Sequence, residues 1–402
     1  MNLLLADLHK FVGYSGGIEH VLSRMAAAMK DRGYTVSVVM ADEKSGDPFY
    51  PLPEDVKLYN LFKMEGMPEI HAGLFSKAAR EIARAFSKEA ARNRNYSILN
   101  QAKPQMKRVL ELAKPDVIIS FREPTGRLLL EGLDTEIPVI SMLHNDPDEI
   151  FLHSPEKEKR ALEKSRFIQV LMPSFIEKAE KYLDYDHFVH IPNSVNIPHL
   201  KVDPGQERKV HKIVNVGRVT GRTKRQHILI EAFSKIAQEF PDWEVDIWGD
   251  TYDKAYVTMV KSLISKNGLQ NRVHLRGTTK NMGKVWREAD IFAFPSHHEG
   301  FPLALSEAMG VGIPAVGFAS CSSVNELIKD QVNGFLVPDG AEAFSKALSS
   351  LMKDSGLRRK LGAGAKASMK PYAPEVVWDS WDKLIKECIK EQCDNIGNIV
   401  CI

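Results

Sequence analysis

Two doubly wound α/β domains, each built on a parallel sheet, are the architecture this sequence predicts. Short apolar strands alternate with helical segments in two successive series along the chain. Runs such as Val117-Ile118-Ile119 are continuously apolar, as a parallel sheet covered on both faces requires. At 402 residues the chain also exceeds the size at which a single core stops growing.

The first series opens with a strand at 2–8, a helix at 18–30 and a strand at 34–41, with Gly33 where a helix C-terminal glycine belongs. Strands follow at 116–121, 137–143, 167–172 and 187–191, with helical segments between several of them. The pattern then breaks into Ile191-Pro192-Asn193-Ser194-Val195-Asn196, Pro198 and Asp203-Pro204-Gly205, which marks 193–211 as a linker after a first domain at 1–192. A second domain at 212–373 starts with a strand at 212–216 and a helix at 227–240. A strand at 244–248, a helix at 256–266 and strands at 273–275 and 291–294 come next. A short helix near Glu326 lies between strands at 315–318 and 334–337. The last helix, 374–389 within the closing stretch 374–402, has no strand after it and is expected to cross back and brace the first domain. In such sheets ligands bind outside the carboxyl ends of the strands, so a cleft between the two domains is the expected active site.

Composition narrows the classes. The chain is 44% hydrophobic and 26% charged with a net charge of +2, a globular balance with no overall electrostatic pull towards nucleic acid. Cys321, Cys388, Cys393 and Cys401 show no metal-ligand spacing backed by histidines, which reads as reduced thiols in the cytoplasm. Leu3-Leu4-Leu5-Ala6 meets Asp7 and lacks a basic leader, so it is read as a first strand and not a signal peptide. No apolar run approaches the roughly 20 residues that span a bilayer.

The chemistry concentrates in Phe294-Pro295-Ser296-His297-His298-Glu299-Gly300-Phe301-Pro302-Leu303, followed by Glu307. It reads as a strand end, a tight loop and a helix start, with Pro302 suited to the first helical position. A helix start attracts an anion through its orphan N–H groups and dipole. If that anion is a diphosphate, Glu299 and Glu307 cannot face it without like-charge repulsion, and they are left to hold neutral hydroxyls of a ribose and a hexose. Taken singly, each glutamate is better read as capping or solvating a helix. Gly217-Arg218-Val219-Thr220-Gly221-Arg222-Thr223-Lys224-Arg225 puts two glycines and four cations after the strand at 212–216, where phosphate oxygens would want them. A solvated basic turn is the plain alternative. Gly16 and Gly17, after the first strand, would let a ligand approach the backbone at the next helix start, or would simply make a tight turn. The G-x-G-x-x-G dinucleotide pattern is absent.

Together, Gly16-Gly17-x-Glu19, Ile191-Pro192-Asn193-Ser194-Val195, Gly217-Arg218 with Lys224, and Glu299-Gly300-Phe301-Pro302-Leu303 with Glu307 resemble glycosyltransferase family 4 over about the whole chain. That resemblance implies the GT-B fold, two Rossmann-like domains facing across a cleft, and retention of anomeric configuration. It assigns the donor diphosphate to Arg218 and Lys224, and contacts to phosphate and donor sugar to backbone amides near the stretch Gly300, Phe301, Pro302 and Leu303. Glu299 would bind sugar hydroxyls, Glu307 the ribose, and His144 would donate a hydrogen bond to the transferred sugar. Arg276 and Gly277, beside Leu275, would lie near the nucleobase. Ser322 and Ser323 depart from the family, which often has glycines there.

The implied reaction is transfer of a hexosyl group from a nucleotide sugar, uridine first and guanosine second, to a hydroxyl of a glycan or lipid-linked acceptor in polysaccharide synthesis. No cofactor or metal is required, because protein cations neutralise the leaving diphosphate, and domain closure completes the site. Asp146-Pro147-Asp148 and His297-His298-Glu299 read as turn and loop features rather than metal ligands. Arg122, Glu123 and Thr125 are acceptor-side candidates by position. The 74–94 stretch reads as a basic amphipathic helix, with Phe75, Ile82 and Phe86 on one face and Lys77, Arg80, Arg84, Lys88, Arg92 and Arg94 elsewhere. Such a helix suits an anionic membrane surface or docks on the core. Two other classes stay open: another GT-B-like enzyme, such as a nucleotide-sugar epimerase or a phosphorylase, and a non-catalytic sugar-nucleotide-binding partner of a transferase complex.

Overall fold

The computed structural model describes residues 1–14, 16–71 and 87–400, with the backbone alone for 391–400. The chain divides into two compact units, Met1–Asn193 with Glu375–Ile402, and Ser194–Pro374.

The first unit holds a seven-stranded sheet of order β3-β2-β1-β4-β5-β6-β7. Its strands are β1 (Asn2–Asp7), β2 (Thr35–Met40), β3 (Lys57–Asn60), β4 (Val117–Ser120), β5 (Val139–Leu143), β6 (Phe167–Val170) and β7 (Phe188–His190). Every pairing is parallel, with Leu3 opposite Val36 on one side and Val117 on the other. Numbered among the described residues, its helices are α1 (Gly17–Asp31), α2 (Lys88–Leu99), α3 (Lys103–Ala113), α4 (Glu123–Arg127), α5 (Pro147–Phe151), α6 (Glu156–Leu162) and α7 (Ser174–Glu180). Alternate residues of β1 feed two cores, Leu3 and Leu5 on one face, Leu4 and Ala6 on the other. Double coverage of this kind is what makes the strands apolar throughout.

Several ladders end before the expected limits, because Leu8, Phe121, Met172 and Ile191 are buried in the loops just past them. β3 was not expected. Its residues are half-buried or exposed at the sheet edge, so Lys57-Leu58-Tyr59-Asn60 carries no apolar run to read. Most of the expected 74–94 helix, 74–86, lies outside the described residues. Of its remainder, Arg92 is no free cation: it pairs with Glu158 at 2.5 Å and Glu123 at 3.4 Å.

The second unit holds a six-stranded sheet of order β10-β9-β8-β11-β12-β13. Its strands are β8 (His211–Val216), β9 (Trp243–Trp248), β10 (Val273–Gly277), β11 (Ile291–Phe294), β12 (Ala315–Phe318) and β13 (Gly334–Val337). Its helices are α8 (Gln226–Ser234), α9 (Lys254–Lys266), α10 (Met282–Glu288), α11 (Leu303–Gly310), α12 (Val324–Leu327), α13 (Ala341–Lys353) and α14 (Ser355–Ser368). The expected helix at 227–240 stops at Ser234, since Ile236, Ala237 and Phe240 reach the core through turns. The stretch read as a linker is docked on this unit: Val195 N–H donates to Tyr372 O at 2.8 Å, and Arg358 Nε to Pro204 O at 2.6 Å. Side-chain anchors of that sort leave no periodic trace.

The last helix, α15 (Pro374–Val400), belongs to the first unit. Val377, Trp378, Trp381, Leu384, Ile385 and Cys388 join the core that contains Leu3, Leu5 and Met25.

Candidate functional site

In the second unit the strand order reverses between β8 and β11, the switch point where doubly wound sheets bind ligands. The basic loop leaves the carboxyl end of β8 there, and the glutamate loop leaves β11 beside it. The two loops are braced against each other. His297 N–H donates to Thr223 O at 2.8 Å, while the Arg225 guanidinium reaches Pro295 O at 3.2 Å and pairs with Asp339 at 2.9 Å. Buried Gln226 donates to Arg218 O at 3.0 Å, and Asn215 Nδ2 to Ala293 O at 2.8 Å. At Gly249, where φ is +151°, an added Cβ would lie 1.9 Å from Gly217 O, so only glycine lets the β9 end pass under the loop.

Lys224 Nζ lies 2.5 Å from Glu299 Oε1 and 5.1 Å from the centre of the Phe294 ring. Both side chains are largely buried, at 18% and 11% exposure. The sequence reading named both residues for the same site but did not foresee that they pair with each other. Arg218 is exposed and makes no ion pair among the described residues. Pro302 is the residue before α11 rather than its first residue, with ψ at 83°. Gly300 and Phe301 are buried in the turn ahead of it, Leu303 opens the helix, and Glu307 is half-buried one turn on. Ser323 does not crowd this loop. It adopts the left-handed backbone at φ +67°, and its hydroxyl bonds to the loop's carbonyls.

A cavity of about 230 Å³ opens beside Gly277, lined by Asp246, Trp248, Arg276, Asn281 and Lys284 among others. The Arg276 guanidinium is held by Asp246 at 2.8 Å, and Gly277, with φ at +71°, follows it at the end of β10. Glu244, Asp246 and His274 bring ligand atoms within 4.8 Å of one another, the one such group among the described residues. Lys212 Nζ already sits there, 2.5 Å from Glu244 and 3.5 Å from Asp246. Burial pushes the Glu244 carboxyl up, but Lys212 and His274 together hold it below the usual range.

The first unit places its candidates differently. Gly16 precedes α1, and a Cβ there would meet Glu19 Oε2 at 2.0 Å, whereas Gly17 faces open space. Glu19, in the first turn of α1, lies beside this helix start and pairs with Arg122 at 2.7 Å. Burial raises that carboxyl, yet the His9 hydrogen bond and Arg122 outweigh it and keep it below its ordinary value. Arg122 also grips Asp7 at 2.6 Å.

Glu123 turns to Arg92, and Thr125 Oγ1 accepts the Leu8 N–H at 3.1 Å. Of the three acceptor candidates, Arg122 and Thr125 line a cavity of about 460 Å³ with Leu8, His9, Lys10 and Phe62, and Glu123 does not. His144 stacks on Phe121 with ring centres 5.5 Å apart, and its buried Nε2 has no hydrogen-bond partner among the described residues. Burial, seconded by Arg122, lowers its pKa to about 3, so the ring is neutral and has an N–H or a lone pair to offer. Asp146 caps α5 through the Asp148 N–H at 3.0 Å and pairs with Lys178 at 2.6 Å.

The sequence signal missed Asn215, Gln226 and Gly249, and it gave Arg225 and Ser323 no part in bracing the loops. These residues act by bonding to backbone or by lacking bulk, which no local pattern announces.

Residues 197–368 match the family model of glycosyl transferases group 1. A poly(glycerol-phosphate) alpha-glucosyltransferase of Bacillus subtilis is 26% identical over 211 residues, 52% of this chain and 30% of that protein. The chain spans between 17% and 30% of the length of the first two curated relatives it matches. Among solved structures, sucrose-phosphate synthase from Thermosynechococcus elongatus superposes with a TM-score of 0.75 at 16% identity, covering 97% of this chain and 99% of that one. Anabaena HepE, solved with UDP and glucose, gives 0.70 at 17% identity, covering 96% and 100%. By architecture this is a GT-B protein, and over residues 197–368 it is similar in sequence to the glycosyl transferases of group 1.

Proposed function

We propose that this chain is a retaining, family 4 glycosyltransferase that moves a hexosyl group from a nucleotide sugar, with UDP favoured, to a hydroxyl of a glycan or lipid-linked acceptor in cell-surface polysaccharide synthesis. The observation that carries the reading is the Lys224–Glu299 pair at the sheet's switch point, beside the start of α11. A diphosphate needs fixed cations, and a sugar needs an acceptor-only group next to them. As the bond from the sugar to the β-phosphate breaks, negative charge grows on the leaving diphosphate. Arg218, Lys224 and the N–H groups at the start of α11 stabilise it. The acceptor hydroxyl attacks from the face the phosphate leaves and passes its proton to an oxygen of the departing diphosphate. Neutral His144 is assigned a hydrogen bond to the transferred sugar, Glu307 the ribose, and the wall at Arg276 and Gly277 the base.

A uridine donor is favoured by HepE, which was solved with UDP. A polymeric acceptor is favoured by the relative that glucosylates poly(glycerol-phosphate). The first unit's cavity, apolar at Leu8 and Phe62 and charged at Lys10 and Arg122, suits an acceptor with an apolar and a polar part. No described helix is long and apolar enough to cross a membrane. Contact with the inner membrane face is assigned to the 74–94 stretch, and flotation with anionic but not neutral liposomes is its test.

The enzyme test is a panel of nucleotide sugars by thermal shift, since a ligand of the folded state raises its stability, followed by turnover with acceptor. Nucleoside diphosphate release and an α-linked product from an α-linked donor are expected, and EDTA should leave the rate unchanged. Binding without turnover would favour the non-catalytic reading.

A further inference from the structure

Ser323 has φ +67° and ψ −42°, a backbone that residues with a Cβ seldom adopt. It is wholly buried, and its Oγ lies 2.5 Å from Gly300 O and 3.0 Å from Glu299 O. A hydroxyl carries one proton, so the donation goes to Gly300 O and is shared towards Glu299 O. Two successive carbonyls thus face one side chain.

The peptides are planar and trans, with no cis bond among the described residues. The N–H of Gly300 therefore points opposite to the Glu299 carbonyl, and the N–H of Phe301 opposite to that of Gly300. Both N–H groups are turned away from Ser323, and among the described residues neither finds an acceptor. They stand just ahead of α11, whose own first N–H groups are orphaned by helix geometry. A buried side chain held in an unfavourable backbone region, with its polar atom spent on two carbonyls, is a feature that over-determination by the surroundings must maintain.

We infer that Ser323 is a positioning residue: its hydroxyl gathers the carbonyls of Glu299 and Gly300 on one side, so that the N–H groups of Gly300 and Phe301 are presented together to one ligand oxygen. That the oxygen belongs to a nucleotide sugar rests on the proposed function, whereas the orientation of the amides does not.

Two variants separate hydroxyl from backbone. Ser323→Gly accepts the left-handed conformation and is expected to stay folded, while Ser323→Ala keeps the Cβ and loses only the oxygen. In both, NMR order parameters of the Gly300 and Phe301 amides in the ligand-free protein should fall from about 0.85 to below about 0.6. The KM for the nucleotide sugar should rise about tenfold with kcat within about threefold, the pattern of lost uniform binding. Wild-type order parameters and KM in Ser323→Gly would overturn the inference. A loss confined to kcat and thermal stability would overturn it too, by assigning Ser323 a structural role. If the wild type binds no nucleotide sugar but the order parameters still fall, the functional reading fails and the positioning stands.

Discussion

Lys224 and Glu299 are 75 positions apart, and each was legible as a candidate from its own loop. Their mutual neutralisation was not, because no local spacing encodes a contact between two loops. The pair means that an incoming diphosphate competes with a carboxylate for the ammonium. Replacing Glu299 by Gln removes the competitor while keeping the shape, so UDP affinity by calorimetry should rise several-fold even as transfer falls. Lys224→Ala should lower kcat/KM by at least ~100-fold, the scale of losing one preorganised donor at a developing charge, with the circular dichroism spectrum unchanged. A wild-type rate would remove the diphosphate assignment. His144 brings a pH effect. Its folded pKa of about 3 lies below the unfolded value of about 6.5, so the unfolded chain binds the extra proton in that window and stability falls as pH drops through it. His20, lowered to about 4 by burial and then by Arg24, works in the same direction. Between pH 7 and 5, His144→Phe should lose less Tm than the wild type, and turnover from pH 6 to 8 should show no inflection from His144.

Among elements, the strands buried on both faces were the easiest to read, because double burial writes a continuous apolar run. β3 shows the limit, since an edge strand with exposed Lys57 and half-buried partners writes none. The expected helix at 227–240 was too long for a related reason: apolar spacing continues through Ile236 and Phe240, although the backbone has left the helix. The glutamate loop was legible as an anion-binding helix start, but the residues that hold its backbone were not. Asn215, Gln226 and Ser323 act through carbonyls, and their sequence neighbourhoods say nothing of where those carbonyls lie. Gly249 is the sharpest structural test at this scale. A methyl group there meets Gly217 O in a backbone that disfavours it, so Gly249→Ala should cost ~3 kcal/mol by denaturant titration, as overpacking typically does. It should also weaken nucleotide binding, because the loop it displaces carries Arg218 and Lys224.

At the scale of the molecule, the doubled α/β architecture followed from the alternation of elements and from chain length. The allotment of 193–211 did not, because that stretch looks like a linker yet is fastened to the second unit by Arg358 and Arg359. Each unit has its own core, so unfolding need not be two-state. The five tryptophans offer a way to see this: Trp243, Trp248 and Trp286 lie in the second unit, and Trp378 and Trp381 in the first. Replacing the latter two by Phe should leave a fluorescence transition that reports the second unit alone. Should that transition coincide with loss of circular dichroism across the whole curve, the units unfold together. Those same two tryptophans sit on α15, which completes a core begun by Leu3 and Leu5. On the ribosome, the first unit's core must therefore wait, with the seat of α15 unfilled, until the residues after 374 have emerged. The second unit, translated later, has all its parts in hand first. The order of synthesis and the order of completion are thus reversed, and the growing chain has a period in which chaperones would find the first sheet half covered.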